Sequence, residues 1–225
     1  MTVSVIIAAH QEGENLGKVL AGVKQALPDL EQLLVVDDGS TDATAQVASE
    51  MGAQVIRHPQ KMGKGAAIRT GLKTATCDLI VFLDADGQDP PEELPRLIIP
   101  LLENRADLVN GSKFMGECRA GAISGLNRLG NLFMSGLINL LFRADITDSQ
   151  SGFRAFRRDK IKDFKLQATE YEIETEMLIQ ALKNRLRVLE IPVVRDKRWS
   201  GKTGFNRIRN GCRILYWIIK EKFTP

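Results

Sequence analysis

Short apolar runs alternate along the chain with segments in which apolar residues recur every three or four positions. The apolar runs predict strands at 2–10, 53–58, 79–83, 107–112 and 187–194, and at the start of 32–42. The segments between them predict helices at 14–27, 42–51, 65–76, 92–103 and 171–184. Strands and helices that alternate with short turns favour an α/β fold: one domain on a single, mostly parallel, doubly wound sheet flanked by helices.

The pattern becomes less regular after residue 112. Residues 146–156 predict a loop that leads into a short strand, and 204–222 predict a basic amphipathic helix. A further helix is predicted at 123–142, with a polar stripe at every fourth position, namely Asn127, Asn131, Ser135 and Asn139. Its apolar side comprises Ile123, Leu126, Leu129, Phe133, Leu137, Leu140 and Leu141. We expect core packing for most of this apolar side, with contact to a membrane surface as the alternative.

Positive charge is concentrated at the C-terminal end. Residues 195–225 carry nine Lys/Arg against two Asp/Glu, a net +7 that leaves −4 on the rest of a chain of net charge +3. We favour a surface for phosphate groups or anionic lipid over a solvated basic tail. The three cysteines lack C-x-x-C spacing, which predicts reduced thiols without a disulfide or zinc site. We expect no signal peptide, and no apolar run approaches the roughly 20 residues that span a bilayer.

Acidic residues follow the apolar run at 79–83. Asp84 and Asp86 are separated by one residue, and Gln88 lies two positions further on. In open α/β sheets, ligands bind at the carboxyl ends of the strands. Oxygen ligands from carboxylates suit Mg²⁺ or Mn²⁺, which complete their coordination with water and substrate phosphates. The sequence therefore predicts a metal–diphosphate site at this strand end.

Two other segments are candidates for nucleotide binding. Asp37 and Asp38 end another strand and could accept hydrogen bonds from ribose hydroxyls or a base edge, with a turn or N-cap role as the alternative. The loop KMGKG at 61–65 precedes a helix, so Lys64 could approach phosphates, although an ordinary helix start explains the loop equally well. Neither the dinucleotide fingerprint nor the P-loop motif is present.

Five segments, taken in order, resemble the motifs of one known family. VIIAAHQE, VVDDGSTD, the Lys64–Gly65 pair, FLDADGQDPPE and TDSQSGFRAF are similar to those of inverting GT-A glycosyltransferases of the dolichyl-phosphate mannose synthase type. The resemblance covers roughly residues 3–205. It implies a GT-A catalytic domain over 1–205, followed by a basic helix over 206–225 that belongs to the same domain or contacts a membrane or partner.

The resemblance also implies roles for individual positions. The metal-binding positions are Asp84, Asp86 and Gln88. The nucleotide-binding positions are Ala8, Glu12, Asp37 and Asp38, to which we add Lys64 and Asp84. A basic segment that closes over the donor diphosphate contributes Arg198 and Lys202, which we group with Asp86 and Asp148 as catalytic. Lys113, where the family has Arg, and Arg128 are the candidates for the acceptor phosphate.

The implied reaction moves a hexose from a nucleotide-sugar, GDP-mannose or UDP-glucose, to a polyprenyl phosphate such as dolichyl phosphate, with inversion. A phosphate monoester is largely a dianion at neutral pH, so the reaction needs no strong general base. Positioning and electrostatics would therefore carry most of the catalysis. Asp148, Glu172 and Glu176 remain candidates for a base or an orienting group, and a solvated helix face is an equally good interpretation for Glu176.

Three alternatives stay open. Transfer to a polysaccharide or protein hydroxyl is disfavoured because Arg195 replaces the Gln of the Q-x-x-R-W motif of processive synthases. A nucleotidyltransferase would show a Gly-rich first loop, which AAHQE lacks. The third is a non-catalytic nucleotide-sugar-binding protein. We expect peripheral association with the cytoplasmic face of a membrane, directly or through a separate membrane subunit, and no binding of nucleic acid.

Overall fold

A computed structural model describes residues 1–201, 204 and 206–224 of the chain. In these residues a seven-stranded sheet carries helices on both faces. The strands are β1 (Val3–Ala9), β2 (Gln32–Asp37), β3 (Gln54–Arg57), β4 (Leu79–Asp84), β5 (Leu108–Cys118), β6 (Arg154–Arg157) and β7 (Val188–Arg195). The helices are α1 (Gly13–Ala26), α2 (Thr44–Glu50), α3 (Lys64–Thr74), α4 (Leu94–Leu102), α5 (Gly125–Phe142), α6 (Arg158–Ile161), α7 (Ile173–Lys183) and α8 (Arg207–Phe223).

The strands lie in the order β3-β2-β1-β4-β6-β5-β7. All neighbouring pairs are parallel except those of β6, which is antiparallel to both β4 and β5. The predicted single, mostly parallel, doubly wound sheet is therefore confirmed. Ala8 on β1 is in register with Val36 on β2 and Asp84 on β4. The carboxyl ends of these three strands consequently meet at one edge of the sheet, where polar side chains can gather outside the core.

Each face of the sheet has its own apolar core, because successive strand residues point to opposite sides. Val5 and Ile7 of β1 pack with α1 and α4 on one face, in a cluster that includes Leu16 and Leu97. Ile6 points to the other face and packs with α3 and α7. The predicted helices thus cover the sheet as the alternating pattern indicated.

β5 is longer than the strand predicted at 107–112. It continues to Cys118 and pairs with β7, with a register shift between Ser112 and Glu117. Gly116 allows this close pairing, because a Cβ at that position would lie 2.1 Å from the carbonyl oxygen of Val193. The extension carries the chain beyond the core and towards α5.

α5 buries its polar stripe, whereas we expected most of its apolar side to pack in the core; that prediction is wrong. Asn131 and Ser135 are buried, whereas four residues of the apolar side are between 61% and 78% exposed, namely Leu126, Leu129, Phe133 and Leu140. The polar stripe faces inward because it finds partners there. Asn131 Nδ2 donates to Asp148 Oδ1 (2.8 Å), the Ser135 hydroxyl donates to Ser149 Oγ (3.0 Å), and Asn139 exchanges two hydrogen bonds with the backbone of Ile146. Satisfying these buried polar groups fixes the rotation of the helix.

The C-terminal helix α8 packs against α5 and α7. Ile214 and Ile218 join a small apolar cluster with Ile138 of α5 and Ile179 of α7. Trp217 inserts into the core beside α7. On the opposite side of α8, Tyr216, Ile219 and Phe223 are exposed. Of the helices in the described part of the chain, none is both long enough and apolar enough to span a bilayer.

Candidate active site

One large cleft opens at the carboxyl ends of β1 and β4. Its volume is about 1410 Å³, and it runs from Ala8 and Asp38 past Asp84, Asp86 and Lys113 to α5 and α8. One end is therefore lined by carboxylates and cations. The other end is lined by apolar side chains, among them Leu126, Leu129, Phe133, Ile208 and Ile214.

Asp86 lies in the turn that follows β4, and a loop from the C-terminal part of the chain covers it. We call residues 196–201 the basic loop. The backbone N–H of Asp196 donates to the carbonyl of Gln88 (2.8 Å), and that of Trp199 points to the carbonyl of Asp86 (3.4 Å). Gly87 has φ +74°, and a Cβ there would lie 2.3 Å from the Trp199 ring. Gly87 thus serves both the turn and the close packing of the indole.

Arg198 of the basic loop bridges two acidic side chains. Its Nη1 lies 3.1 Å from Asp86 Oδ2, and its Nη2 donates to Glu12 Oε1. Burial raises the pKa of Glu12 above its ordinary value, although hydrogen bonds from Asn15 and Arg198 oppose that shift. The structure therefore brings together three predicted site residues that are distant in sequence. Lys202, which the sequence analysis grouped with Arg198, lies outside the described residues.

Asp84, Lys64 and Glu174 form an ionic triad in the cleft, in which Glu174 is buried and the other two are partly buried. Lys64 Nζ lies 2.6 Å from Asp84 Oδ1 and 2.7 Å from Glu174 Oε1. Burial alone would lower the pKa of Lys64, but the two carboxylates hold it above its ordinary value. Burial likewise opposes ionisation of Asp84, yet Lys64 and the nearby arginines keep its pKa low. Burial raises the pKa of Glu174, whose Oε2 has no hydrogen-bond partner among the described residues.

This triad bears on the prediction that Lys64, in the glycine-containing loop 61–65, could approach phosphates. The lysine is committed to two internal carboxylates, so its hypothetical contact with phosphate would have to compete with them. Gly63 has φ +98°, and a Cβ on it would lie 2.3 Å from the carbonyl oxygen of Thr169. A Cβ on Gly65 would lie 2.5 Å from that of Ala168. In this structure the two glycines allow close packing against the segment before α7.

Gln88 and Asp89 contact Arg195, the residue that departs from the Q-x-x-R-W motif. Arg195 Nη2 donates to Gln88 Oε1 (3.0 Å), and Nη1 donates to Asp89 Oδ2. Gln88 Nε2 in turn donates to the carbonyl of Asp196 (2.9 Å). Burial would lower the pKa of Arg195, but the carboxylates of Asp89, Asp86 and Asp84 hold it above its ordinary value. The side-chain amide of Gln88 thus fastens the basic loop through its nitrogen, and its oxygen already accepts a hydrogen bond from Arg195.

Asp37 and Asp38 are both buried at the end of β2. Asp37 Oδ1 accepts from the N–H of Ser40 (3.0 Å), and Arg57 Nε lies 3.1 Å from Oδ2, at ion-pair distance but without hydrogen-bond alignment. Asp38 accepts from the N–H groups of Met62 and Gly63 (both 2.8 Å) and lies 2.7 Å from His58 Nδ1. These contacts stabilise the turns after β2, where Asp38 lines one side of the cleft. A contact with a nucleoside stays a prediction.

The acceptor-side candidates lie around Phe114. Lys113 Nζ is 4.8 Å from the centre of the Phe114 ring, and the guanidinium carbon of Arg128 is 5.8 Å from it. Lys113 also donates to Asp148 Oδ2 (2.6 Å), and Asn131 donates to the other carboxylate oxygen. Burial of Asp148 would raise its pKa, but Lys113 and Asn131 hold it below its ordinary value. Asp148 is therefore an ionised anchor for Lys113.

Glu172 and Glu176 have internal roles. Glu172 accepts from the N–H groups of Thr169 and Glu170 (both 3.2 Å) and pairs with Arg213 of α8. Glu176 accepts from the N–H groups of Gln167 and Ala168. Both are fully buried, so the interpretation of Glu176 as part of a solvated helix face is wrong. The two carboxylates hold the loop before α7 instead of facing the cleft.

The residues at the end of β4 fit a divalent cation. Asp84 and Asp86 both line the cleft; Asp84 pairs with Lys64, and Asp86 pairs with Arg198 and accepts from the backbone N–H of Gln88. In the described chain, no group of three or more His, Cys, Asp or Glu side chains converges as a ready-made metal cage. Two carboxylates and a bound diphosphate are nevertheless the usual environment of Mg²⁺, so the donor set is adequate.

Several contributors to this site were not found from the sequence. Glu174 lies between Glu172 and Glu176, and spacing alone could not show which of the three carboxylates reaches Lys64. Arg154 is fully buried and donates to Asn110, Ser149 and the carbonyl of Glu174. Glu190 of β7 accepts from the backbone of Thr147 and Asp148. Arg154 and Glu190 could have been suspected from the sequence, because each is a charged residue inside a predicted strand and such residues are rarely buried unless they are paired.

The fold is of the GT-A type, and comparison with known proteins identifies the family. Residues 4–164 match the model of glycosyl transferase family 2. The chain therefore belongs to this family and is a hexosyltransferase.

The relatives named for transfer to dolichyl phosphate include one from Pyrococcus furiosus and one from Methanococcus voltae. A dolichol-phosphate mannosyltransferase of Pyrococcus furiosus is 32% identical over 96% of the chain, which spans 64% of that protein. A UDP-N-acetylglucosamine–dolichyl-phosphate N-acetylglucosaminyltransferase of Methanococcus voltae is 31% identical, covering 97% of the chain and 95% of that protein.

A solved structure supports the fold. Glucosyl-3-phosphoglycerate synthase from Mycobacterium tuberculosis, in complex with Mn²⁺, UDP and glucosyl-3-phosphoglycerate, superposes with a TM-score of 0.78. The two sequences are 24% identical, and the match covers 100% of this chain and 81% of the other. The GT-A fold that the motifs implied is thereby confirmed.

Proposed function

We propose that the protein transfers a hexose from a nucleotide-sugar to a polyprenyl phosphate at a membrane surface, with inversion at the anomeric carbon and with Mg²⁺ or Mn²⁺. The observation that carries the proposal is the continuity of the cleft. A single cavity joins the cluster of Asp84, Asp86 and Arg198 to the exposed apolar side of α5. A charged donor and a long apolar acceptor can therefore meet within it.

The donor end suits a nucleoside diphosphate. Glu12 and Asp38 line the side near β1 and β2, and Asp84 and Asp86 line the floor. A divalent cation bound at these two aspartates would neutralise charge on the leaving diphosphate. Arg198 supplies a permanent positive charge next to Asp86, and we assign Lys202 the same role from the sequence. The Mn²⁺ and UDP in the M. tuberculosis structure agree with this use of the fold.

The acceptor end suits a phosphate monoester. Lys113 lines the cleft, and Lys113 and Arg128 present two cations around Phe114. Asp148 is poorly placed to take a proton from an acceptor, because it is fully buried and its two carboxylate oxygens accept from Lys113 and Asn131. It holds Lys113 in place, and the acceptor phosphate dianion attacks without deprotonation. We therefore assign Asp148 a positioning role.

The surface around the apolar end suits a lipid bilayer. Leu126, Leu129 and Phe133 on α5 are each more than 60% exposed, and Ile208 on α8 is 82% exposed. Exposed basic residues of α8, namely Arg207, Arg209 and Lys222, lie on the same helix as this apolar residue. Apolar side chains next to Lys and Arg are typical of a helix that lies in the membrane interface. Direct contact with lipid and contact with a membrane subunit both use this surface.

The proposal is tested by assaying product formation with a panel of donors and acceptors. The protein is incubated with Mn²⁺, GDP-mannose, UDP-glucose or UDP-N-acetylglucosamine, and with either a short polyprenyl phosphate or 3-phosphoglycerate. We expect a glycolipid from one donor and no product with 3-phosphoglycerate. Product only with 3-phosphoglycerate would overturn the lipid acceptor. Binding of a nucleotide-sugar without any product would indicate a non-catalytic binding protein.

A further inference from the structure

Asn15, in the first turn of α1, fastens the basic loop to the body of the protein. Its Nδ2 donates to the carbonyl oxygen of Ser200 (3.3 Å) and to Glu12 Oε2 (2.8 Å). Its Oδ1 accepts from the hydroxyl of Ser200 (2.9 Å). The side chain is buried, with 3% of its surface exposed. Both polar atoms of this amide are therefore used, one of them on two partners.

These contacts reach Arg198 from two sides. Glu12, which Asn15 holds, accepts a hydrogen bond from Arg198 Nη2. The carbonyl of Ser200, which Asn15 also holds, accepts from Arg198 Nε (2.7 Å). Asn15 thus acts on Arg198 through two acceptors, the carboxylate of Glu12 and the backbone carbonyl of Ser200. A change at position 15 would loosen both supports of the guanidinium at once.

We infer that Asn15 is a positioning residue that holds the basic loop closed over the donor site before the donor binds. A loop that is already ordered loses less conformational entropy when a ligand arrives, so the ligand binds more tightly. For its ligand this inference rests on the proposed function, since the donor diphosphate is what Arg198 would contact. The closed loop itself is a property of the ligand-free protein and is tested separately.

Trp199 reports on the position of the loop. Its ring packs on Gly87 and is 43% exposed. The second of the two tryptophans, Trp217, is 8% exposed in the core beside α7. Release of the loop would transfer Trp199 to water and leave Trp217 unchanged. Fluorescence of a Trp217→Phe background therefore follows the loop alone.

The first experiment compares Asn15→Ala, Ser200→Ala and the double variant in the absence of ligand. Limited trypsin digestion with mass spectrometry measures cleavage after Lys197 and Arg198, which lie in the loop. The control is Ser4→Ala, because the Ser4 hydroxyl is fully buried and donates to Gln32 (2.7 Å) at the opposite end of β1. It loses a buried hydrogen bond and leaves the loop untouched.

We expect Asn15→Ala to increase loop cleavage about tenfold, the factor that corresponds to loss of about one buried hydrogen bond, and to shift Trp199 emission to longer wavelength. Ser200→Ala should have a smaller effect, because the backbone carbonyl still accepts from Asn15. The double variant should resemble Asn15→Ala, since residues that share an interaction are not additive. Equal cleavage rates for Asn15→Ala and Ser4→Ala would overturn the inference.

The second experiment measures binding of UDP and GDP, each with Mn²⁺, by calorimetry. For the nucleotide that the wild type binds, we expect Asn15→Ala to raise the Kd about tenfold and Ser4→Ala to leave it unchanged. Faster loop cleavage with an unchanged Kd would refute the role in donor binding. If the wild type binds neither nucleotide, the proposed function fails, and the protease result still decides whether Asn15 closes the loop.

Discussion

The guanidinium of Arg198 lies against the carboxylate of Asp86, with 3.1 Å between Nη1 and Oδ2. The two residues are far apart in sequence, and each is only partly accessible, with side-chain exposures of 20% and 14%. A divalent cation bound at Asp86 would share that carboxylate with Arg198. We therefore expect the metal ion and the guanidinium to compete for Asp86, and the donor diphosphate to offer Arg198 an alternative partner.

This competition predicts the effect of Arg198→Gln on metal binding. We expect the variant to bind Mn²⁺ about tenfold more tightly than the wild type in the absence of nucleotide, because one partly buried ion pair no longer has to be broken. Electron paramagnetic resonance of free Mn²⁺ measures the affinity. Arg96→Gln is the control, because its ion pair with Glu93 involves a half-exposed arginine on α4. Unchanged or weaker Mn²⁺ binding by Arg198→Gln would contradict the competition.

Asp86 itself should be indispensable for transfer. We expect Asp86→Ala to reduce turnover by a factor of about one hundred or more, since a metal ligand contributes several kcal/mol to stabilisation of the leaving group. Its fold should persist, because Asp86 lies in a turn after β4 and not in the core. Circular dichroism and the melting temperature check the fold, and product formation checks activity. Turnover near that of the wild type would remove Asp86 from the metal site.

Lys113 and Asp148 should act as a unit in acceptor binding. Replacing Lys113 alone would leave the Asp148 carboxylate buried without its cation, which destabilises a protein by about 3–5 kcal/mol. The pair Lys113→Met and Asp148→Asn removes both charges at similar volume. We expect this double variant to fold and to raise the KM for polyprenyl phosphate at least about tenfold.

Nucleotide binding distinguishes this effect from general damage. The Lys113→Met/Asp148→Asn variant should bind the nucleoside diphosphate with the wild-type Kd in calorimetry, because its changes lie at the acceptor end of the cleft. A matched loss of donor and acceptor affinity would show that the pair supports the whole cleft and not the acceptor phosphate.

The exposed side of α5 should mediate binding to anionic vesicles. We expect Leu129→Ser/Phe133→Ser to lose most co-sedimentation with such vesicles and to keep its melting temperature, because both side chains are more than 60% exposed. Ile99→Ser/Leu102→Ser on α4 is the control, since those residues are 45% and 48% exposed on another surface. Equal sedimentation of both variants would assign membrane binding elsewhere on the protein.

The rotation of α5 shows where sequence reasoning reached its limit. The helix and its polar stripe were predictable, because the spacing of Asn131, Ser135 and Asn139 defines one face. The buried face was not predictable, because periodicity separates two sides without saying which one meets the protein. The decision depends on Asp148 and on the backbone of Ile146, which offer partners only after the chain has folded.

The same limit applies to the ionic contacts of the site. Asp86 could be placed at a strand end from the apolar run before it, and the parallel sheet followed from the alternating pattern. The later partners of Asp86 and of Lys64, which itself pairs with Asp84, could not be placed, because Arg198 and Glu174 arrive from segments about a hundred residues later in the chain. Motif similarity placed Arg198 near the donor, whereas Glu174 had no motif to mark it.

A last prediction concerns stability at low pH and lies outside the cleft. The Asp107 carboxylate accepts from the backbone N–H of Arg187 (2.9 Å), from its Nε (3.0 Å) and from its Nη2 (2.9 Å). These hydrogen bonds lower the pKa of Asp107 from 3.8 to about 2. Because the pKa is depressed in the folded state, the stabilisation is complete above about pH 4 and is lost as the pH falls towards 2.

Asp107→Asn should therefore lower the free energy of unfolding at neutral pH and flatten its decline in acid. We expect a loss of about 1–2 kcal/mol, because the partly exposed Arg187 weakens the pair through solvent screening. Urea unfolding of wild type and variant at several pH values isolates this carboxylate from the others that titrate in acid. Glu103→Gln is the control, since its ion pair with Arg105 is more than half exposed on both sides. Parallel pH profiles for wild type and Asp107→Asn would show that this pair does not contribute to acid stability.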